Sequence, residues 1–233
     1  MKRYLSCILL FCFCNIHAQS INVDDPRTVS STQVFVNNIM GVPYQPVKYY
    51  RFTEGSMYVP ENFSPSVLFF RDGKNKYAKI TARLNIVENQ IHYLNEKGKE
   101  MIADIPVEEI YFTDTLTNTT KIYVHNIPYH QNNKEPWYEV LEKGKVSLYR
   151  EIDKYISETK VYGQATMEYK VITSYVYWLV MENSAKKMRN INELTALLNT
   201  MNPAFKALSV SQKWSDKKNE DWVKLVEIFN GLN

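Results

Sequence analysis

Apolar and polar residues alternate with a period of two along most of this chain, and fall into a period near 3.6 only after about residue 190. The period-two runs are short and separated by turn residues. "TQVFVNNIM" opens the series, and "YAKITARL", "NQIHYL", "EMIADI", "EEIYFT", "TKIYVH", "WYEVLEKGKVSLYR" and "ITSYVYWLVMENSAKKMR" continue it. Side chains of a strand point to opposite faces in turn, so these runs predict half-buried strands. In "NQIHYL", Ile91 and Tyr93 take the buried side, and Gln90 and His92 the polar one. Turns are expected at "RDGK", around Gly98, at Glu142–Lys145 around Gly144, and at Glu182–Ser184. "GVPYQPVKYY" and "GSMYVPENFSPS" carry prolines, which donate nothing to a sheet ladder, so both read as edge or loop material. "ETKVYGQATMEYK" reads as a long loop or splayed hairpin.

Beyond residue 190, Ile191, Leu194, Leu197, Leu198 and Met201 share one helical face. Asn190 is placed to cap that helix, with Glu193 as the reciprocal partner of a capping box. Asn202-Pro203 starts a second helix that turns Phe205 and Leu208 inward. Trp222, Leu225, Val226 and Phe229 form the stripe of a third, with Glu220 and Asp221 at its start and Gly231 past its end. Residues 33–189 are therefore expected to form an antiparallel β meander, either a sheet or a partly closed barrel. Residues 190–233 are expected to add three short helices packed on it. Strands followed by helices define an α+β class. No fixed-period repeat interrupts this order.

The first residues follow another pattern. Lys2 and Arg3 precede an apolar run from Leu5 to Cys14, followed by a short exit ending in the small residue Ala18. That is the order of a secretory signal peptide over residues 1–18, with cleavage between Ala18 and Gln19. The run is too short to span a bilayer, which needs about 20 apolar residues. A lipid anchor would need a small residue before the acylated cysteine. Phe11 and Phe13 stand before Cys12 and Cys14, so a soluble, cleaved product is preferred to a lipoprotein. Polar residues 19–32 read as a flexible leader. The expected location is periplasmic or extracellular, with no transmembrane span.

Cleavage changes the chemistry available. All three cysteines, Cys7, Cys12 and Cys14, leave with the signal, and with them any disulfide, thiolate nucleophile or cysteine-bound zinc. Loss of Lys2 and Arg3 leaves 26 basic against 25 acidic residues, with signs interleaved. Nucleic-acid binding would need a clustered basic face, so no nucleic-acid partner is expected. No nucleotide-binding glycine loop and no G-x-S-x-G elbow occur, and no cofactor is expected.

What remains is sparse. "HNIPYH" sets His125 and His130 five residues apart, the one candidate metal pair, with Glu135 or Asp114 as a third ligand. Loop spacing of this kind fixes no geometry. In "VEEIYF", Glu109 is read as a residue of an exposed strand face, with acid/base work in a cleft as its functional alternative. The 17 Tyr, 10 Phe and 4 Trp favour a packed β core, and some rings offer platforms for sugars or apolar partners. Tyr49, Tyr50 and Trp137 are the candidate ligand-binding rings, because charged or proline neighbours suggest partial exposure.

The signal ending in "AQ", the "GVPY" segment, "RLNIVENQIHYL", "WYEVLEKGKVSLYR" and the closing "NPAFKAL…KNEDWVKLVEIFN" together resemble a group of uncharacterised secreted proteins of Bacteroidota. Those have β-rich bodies and helical C-terminal ends. The resemblance spans most of the mature chain. It implies an envelope location and the strands-then-helices order, and it brings no activity, cofactor or catalytic residue. "DTL" at Asp114–Leu116 resembles the O-glycosylation acceptor pattern of Bacteroidota envelope proteins, with Thr115 as the acceptor. The function expected is a non-enzymatic envelope binding or structural protein. Its partner would be an envelope component, a glycan or an apolar ligand. The alternative is an envelope hydrolase using carboxylates or a His metal site, and a structural role through the C-terminal helices is a third reading.

Overall fold

The computed structural model describes residues 39–46, 50–71, 76–130, 135–160, 167–209 and 213–232, and the backbone of 34–35. The cleavage residues Ala18 and Gln19, the leader, the Asp72-Gly73 turn and Tyr49 lie outside the described residues.

The strands run β1 (Val34–Phe35), β2 (Gly41–Pro43), β3 (Phe52–Glu54), β4 (Tyr58–Phe70), β5 (Lys76–Asn85), β6 (Gln90–Leu94), β7 (Glu100–Ala103), β8 (Val107–Asp114), β9 (Thr119–Val124), β10 (Tyr138–Glu142), β11 (Ser147–Lys160), β12 (Met167–Met181) and β13 (Ser184–Met188). Helices α1 (Ile191–Met201), α2 (Phe205–Ser209) and α3 (Asn219–Asn230) follow. The class is α+β. All thirteen strands join one open sheet, in the order β13-β12-β11-β10-β9-β8-β4-β5-β6-β7-β2. The sheet is mixed, because β1 pairs parallel with β5 and β3 parallel with β12.

One segment departs from the sequence reading. "GSMYVPENFSPS", read as edge or loop, lies from Tyr58 onward in β4, a central strand between β5 and β8. Its prolines sit where the ladder is interrupted or one-sided. Pro60 falls in the register break between Val59 and Ser64, and Pro65 pairs only with Thr81, before the β8 ladder begins at Ser66. A residue with no N–H is tolerated at both places. The described parts of "ETKVYGQATMEYK", read as a long loop or splayed hairpin, take the hairpin form: Glu158–Lys160 and Met167–Lys170 extend β11 and β12, which pair from Ser147↔Val180 to Lys160↔Met167.

Register shows how the core is laid out. Leu68, Ala82, Leu84, Tyr93, Ile110, Phe112 and Tyr123 face one side over β4–β9. The same face continues through the Tyr123↔Glu139, Glu139↔Arg150 and Arg150↔Tyr177 pairs to Leu148, Leu179 and Met188. There the helices cover it with Ile191, Leu194, Leu198, Phe205, Trp222, Leu225 and Phe229. Burying each such side chain contributes roughly 1.5–3 kcal/mol, which short helices of this length need in order to hold. The opposite face carries a smaller cluster of Val124, Tyr138, Tyr149 and Val180.

The helix ends follow local chemistry in part. Asn190 Oδ1 accepts the Glu193 N–H at 2.8 Å, the expected cap. The reciprocal bond reaches one residue further back, from the Arg189 N–H to Glu193 Oε2 at 3.0 Å. Gly231 ends α3 at φ −74°, so its left-handed freedom is not used. Gly144 is needed for space: a Cβ there would lie 2.3 Å from Asn230 Nδ2. Asn230 brackets the neighbouring Val146, accepting from its N–H and donating to its carbonyl, both at 3.0 Å, and so fastens α3 to the β10–β11 turn. Among the described residues, no helix is long and apolar enough to cross a membrane.

Candidate binding site

Five segments converge beside the edge of the larger cluster: the end of β4, the β5–β6 turn, the β7–β8 connection, the segment after β9, and the approach to β10. They enclose a cavity of about 230 Å³ whose polar lining is Arg71, Asn89, Gln90, His125 and Glu135, with Trp137 among its walls. Arg71 is fixed through its backbone, its N–H donating to the Pro106 carbonyl at 3.0 Å. Its guanidinium then meets Glu135 side-on, Nη1 to Oε1 at 3.3 Å and Nη2 to Oε2 at 3.3 Å. Asn89 reaches the same segment from the β5–β6 turn, where it holds φ 54°, and its Nδ2 donates to the Glu135 carbonyl at 3.4 Å. Asparagine is among the residues that tolerate that backbone region.

His125 completes the wall. Its Nδ1 lies 3.0 Å from the Glu135 carbonyl, which can only accept, so Nδ1 carries the proton and Nε2 is left as an acceptor. Burial pushes the imidazole pKa down to about 4, against the smaller raising effect of that hydrogen bond. The ring is therefore neutral at ordinary pH. It lies on Trp137, with centroids 3.6 Å apart at 35°. Trp137 is 3 % exposed, which corrects the expected partial exposure. The charged and proline neighbours that suggested it belong to the loop, whereas the ring itself joins the apolar cluster of Ile91, Val107 and Ile152. Its face is covered by His125 and is not a stacking platform. Its indole Nε1–H is buried and has no acceptor among the described residues.

The other predicted residues lie elsewhere. His130 stacks on Trp178 at 3.9 Å and 32°, on the opposite cluster from Trp137. The "HNIPYH" spacing thus delivers each imidazole to a different tryptophan. Among the described residues, no three His, Cys, Asp or Glu side chains gather as a metal would need. Tyr50 is half-buried, stacked with Phe52 at 5.5 Å and edge-on to Tyr169 at 5.0 Å, away from the cavity. Thr115 is exposed at the tip between β8 and β9. There Asp114 Oδ1 accepts the Leu116 and Thr117 N–H groups at 2.8 and 3.3 Å. Those backbone bonds hold the Asp114 carboxyl below its usual range. Glu109, read as exposed, is 6 % exposed and accepts from the Tyr111 hydroxyl at 3.0 Å. Tyr138, Tyr149 and Val180 make its face of the sheet a second core.

One polar cluster was not legible as such. His92, expected on a polar strand face, is fully buried, because Tyr44 and Tyr58 cover it at ring distances of 4.6 and 5.3 Å. Its Nδ1 lies 2.6 Å from Glu100 Oε1, which also accepts from Arg83 Nη2 at 2.8 Å. The Arg83 guanidinium is sandwiched between the Tyr58 and Phe63 rings at 3.6 and 4.3 Å. Burial opposes ionisation of Glu100, but the Arg83 and His92 contacts outweigh it and hold the carboxyl below its ordinary value. Burial raises the Tyr58 hydroxyl well above the usual tyrosine range. The alternation of "TARLN" and "NQIHY" gives the shared face of Arg83 and His92, and nothing local announces the aromatic cover.

No protein-family model matches the chain. No curated protein and no solved structure matches it either.

Proposed function

We propose that this is an exported, non-enzymatic binding protein of the cell envelope. It holds a small, neutral, polyhydroxylated ligand, such as one sugar ring of a glycan, in the Arg71–Glu135–Trp137 cavity. The observation that carries this reading is the Trp137 indole N–H: Trp137 lines the cavity, and its N–H is buried without an acceptor among the described residues. An unmet buried donor costs about 1–3 kcal/mol, a cost that a ligand oxygen removes.

The chemistry of the wall narrows the class. Arg71 and Glu135 cancel each other's charge and His125 is neutral, so the cavity selects for neither an anion nor a cation. It offers donors from Trp137, Arg71, Asn89 and Gln90, and acceptors from Glu135 and His125 Nε2. Mixed donors and acceptors at short spacing suit hydroxyl groups, which do both. About 230 Å³ suits one ring of a glycan better than a chain. Export rests on the signal-like pattern of residues 1–18.

Nuclear magnetic resonance tests this directly. On titration with a panel of neutral monosaccharides, the Trp137 indole N–H resonance moves downfield for at least one sugar. Arg71→Ala weakens that response about tenfold, the loss expected for one charge-assisted contact. A panel that leaves the Trp137 resonance unmoved sinks the reading.

A further inference from the structure

The sheet has one edge segment built unlike the others. Strand β12 is fifteen residues long, and its inner edge pairs with β11 throughout. Among the described residues, its outer edge is covered at both ends only. β3 takes Tyr169 and Lys170, and Gly55 then passes so close to Val171 that a Cβ there would lie 2.5 Å from the Val171 carbonyl. β13 takes Tyr177–Met181. Among the described residues, no strand pairs with Ile172–Val176 between them. Five residues leave a slot of roughly 17 Å.

Unpaired edges are normally guarded by lysine, proline or a bulge. The two end strands of this sheet are: β13 reads "SAKKM", with two lysines, and β2 reads "GVP". The slot reads "ITSYV", with no charge, proline or glycine. Ile172 and Tyr175 are 38 % and 51 % exposed, and Tyr155, paired across from Ile172, is 53 % exposed. Apolar surface thus flanks the slot on both faces, since Ile172 and Tyr175 alternate.

We propose that Ile172–Val176 is a docking slot for a short, uncharged, extended peptide segment of a partner protein, which joins the sheet by strand addition. The two flanking strands already make this kind of pairing on the same edge, one parallel and one antiparallel, so a segment entering between them continues an existing ladder. A second copy does not fit by pairing its own β12, because a fifteen-residue strand cannot enter a five-residue gap closed at both ends. The occupant is therefore a chain terminus or a loop tip. Its side chains are β-branched or aromatic on both faces, to meet Tyr175 on one and Ile172 on the other. The Glu54–Lys170 pair at 3.3 Å neutralises one end of the slot and leaves no charge there for the segment to answer.

Residue-resolved amide exchange tests the proposal, with the five-residue acetyl-Val-Thr-Val-Thr-Val-amide as the probe. Its fully N-methylated analogue is the control, with the same side chains and no N–H donor. The expected result is a roughly tenfold slowing of the Ile172–Val176 amides that face away from β11, with the probe and not with the control. Ser174→Lys, at an exposed position, guards the edge and abolishes the slowing while the circular dichroism stays unchanged. Three results overturn the proposal: no slowing at millimolar probe, equal slowing by the control, or undiminished slowing in Ser174→Lys. Amides already as protected in the free protein as those of Tyr177–Met181 also overturn it, because the chain then closes its own edge.

Discussion

Trp222 and Trp137 are buried alike, at 2 % and 3 % exposure, and each lies against a flat partner ring. Trp222 stacks on Tyr177 at 4.0 Å and 6°, and Trp137 on His125 at 3.6 Å and 35°. Their polar ends differ. Trp222 Nε1 donates to the Asp216 carbonyl at 3.3 Å, and nearby Trp214 Nε1 donates to the Ser209 carbonyl at 2.8 Å. Trp137 Nε1 has no acceptor among the described residues. The contrast extends to the regions around them. Under the helices, Asn230 satisfies both backbone groups of Val146, and the Ile191 N–H is met by Asp216. Over β4–β9, Arg83 Nε and His92 Nε2 are likewise buried without partners among the described residues. The helical region meets its polar groups from within. The other leaves some unmet, at about 1–3 kcal/mol each, and the proposed site lies there.

The sharpest way to break this contrast is to cut both rings. Trp222→Ala removes the centre of the helical cluster and is expected to cost about 3–5 kcal/mol in chemical denaturation. Replacement by phenylalanine separates the two sites further. Trp222→Phe loses volume and a hydrogen bond, roughly 1–2 kcal/mol together. Trp137→Phe also loses volume but removes an unmet donor, so its net change is expected within about 0.5 kcal/mol of zero. Equal losses at the two positions would mean that Trp137 is as fully satisfied as Trp222.

The ion pairs offer a second comparison. Glu139 is buried where the two clusters of the main face meet, and it accepts from Arg150 Nε at 3.0 Å and from Nη2. Glu139→Ala strands a buried guanidinium and should cost about 3 kcal/mol. Glu100, with a quarter of its side chain exposed, sits in the Arg83–His92 cluster, and Glu100→Ala should cost about half as much. Denaturation at neutral pH ranks the two. Reversal of that order would make the Arg83–Glu100–His92 cluster the main polar support of the fold.

These regions were unequally legible, and the reason is range. The Asn190 cap and the turn at Gly98, with φ 70°, depend on residues within a few positions, so the sequence announces them. Gly144 was legible as a turn residue but not for its actual reason, since the side chain it makes room for belongs to Asn230, far along the chain. Alternation placed His92 and Glu109 on the correct faces of their strands. It could not say that those faces are covered, because the cover comes from Tyr44 and Tyr58 in one case and from β10–β12 in the other. Trp137 fails in the same way. Glu135 and Pro136 before it suggest an exposed loop, whereas its ring packs among Ile91, Val107 and Ile152 with His125 on its face.

The pH dependence of His125 bears most directly on the cavity. His125 has its pKa lowered by burial from 6.5 to about 4. Between those values the unfolded chain binds a proton that the folded chain does not. The stability tied to a neutral His125 is therefore complete above pH 6.5 and lost as the pH falls toward 4. The ring is only partly covered, so the amount is on the order of 1–2 kcal/mol. His125→Asn should flatten this part of the stability profile. Binding of a neutral sugar should follow the other boundary. It should hold constant down to about pH 5 and weaken near pH 4, where Nε2 gains a proton and ceases to accept. A binding profile that instead turns over near pH 6.5 would place His125 in water, and the donor and acceptor count of the cavity would no longer favour a hydroxylated ligand.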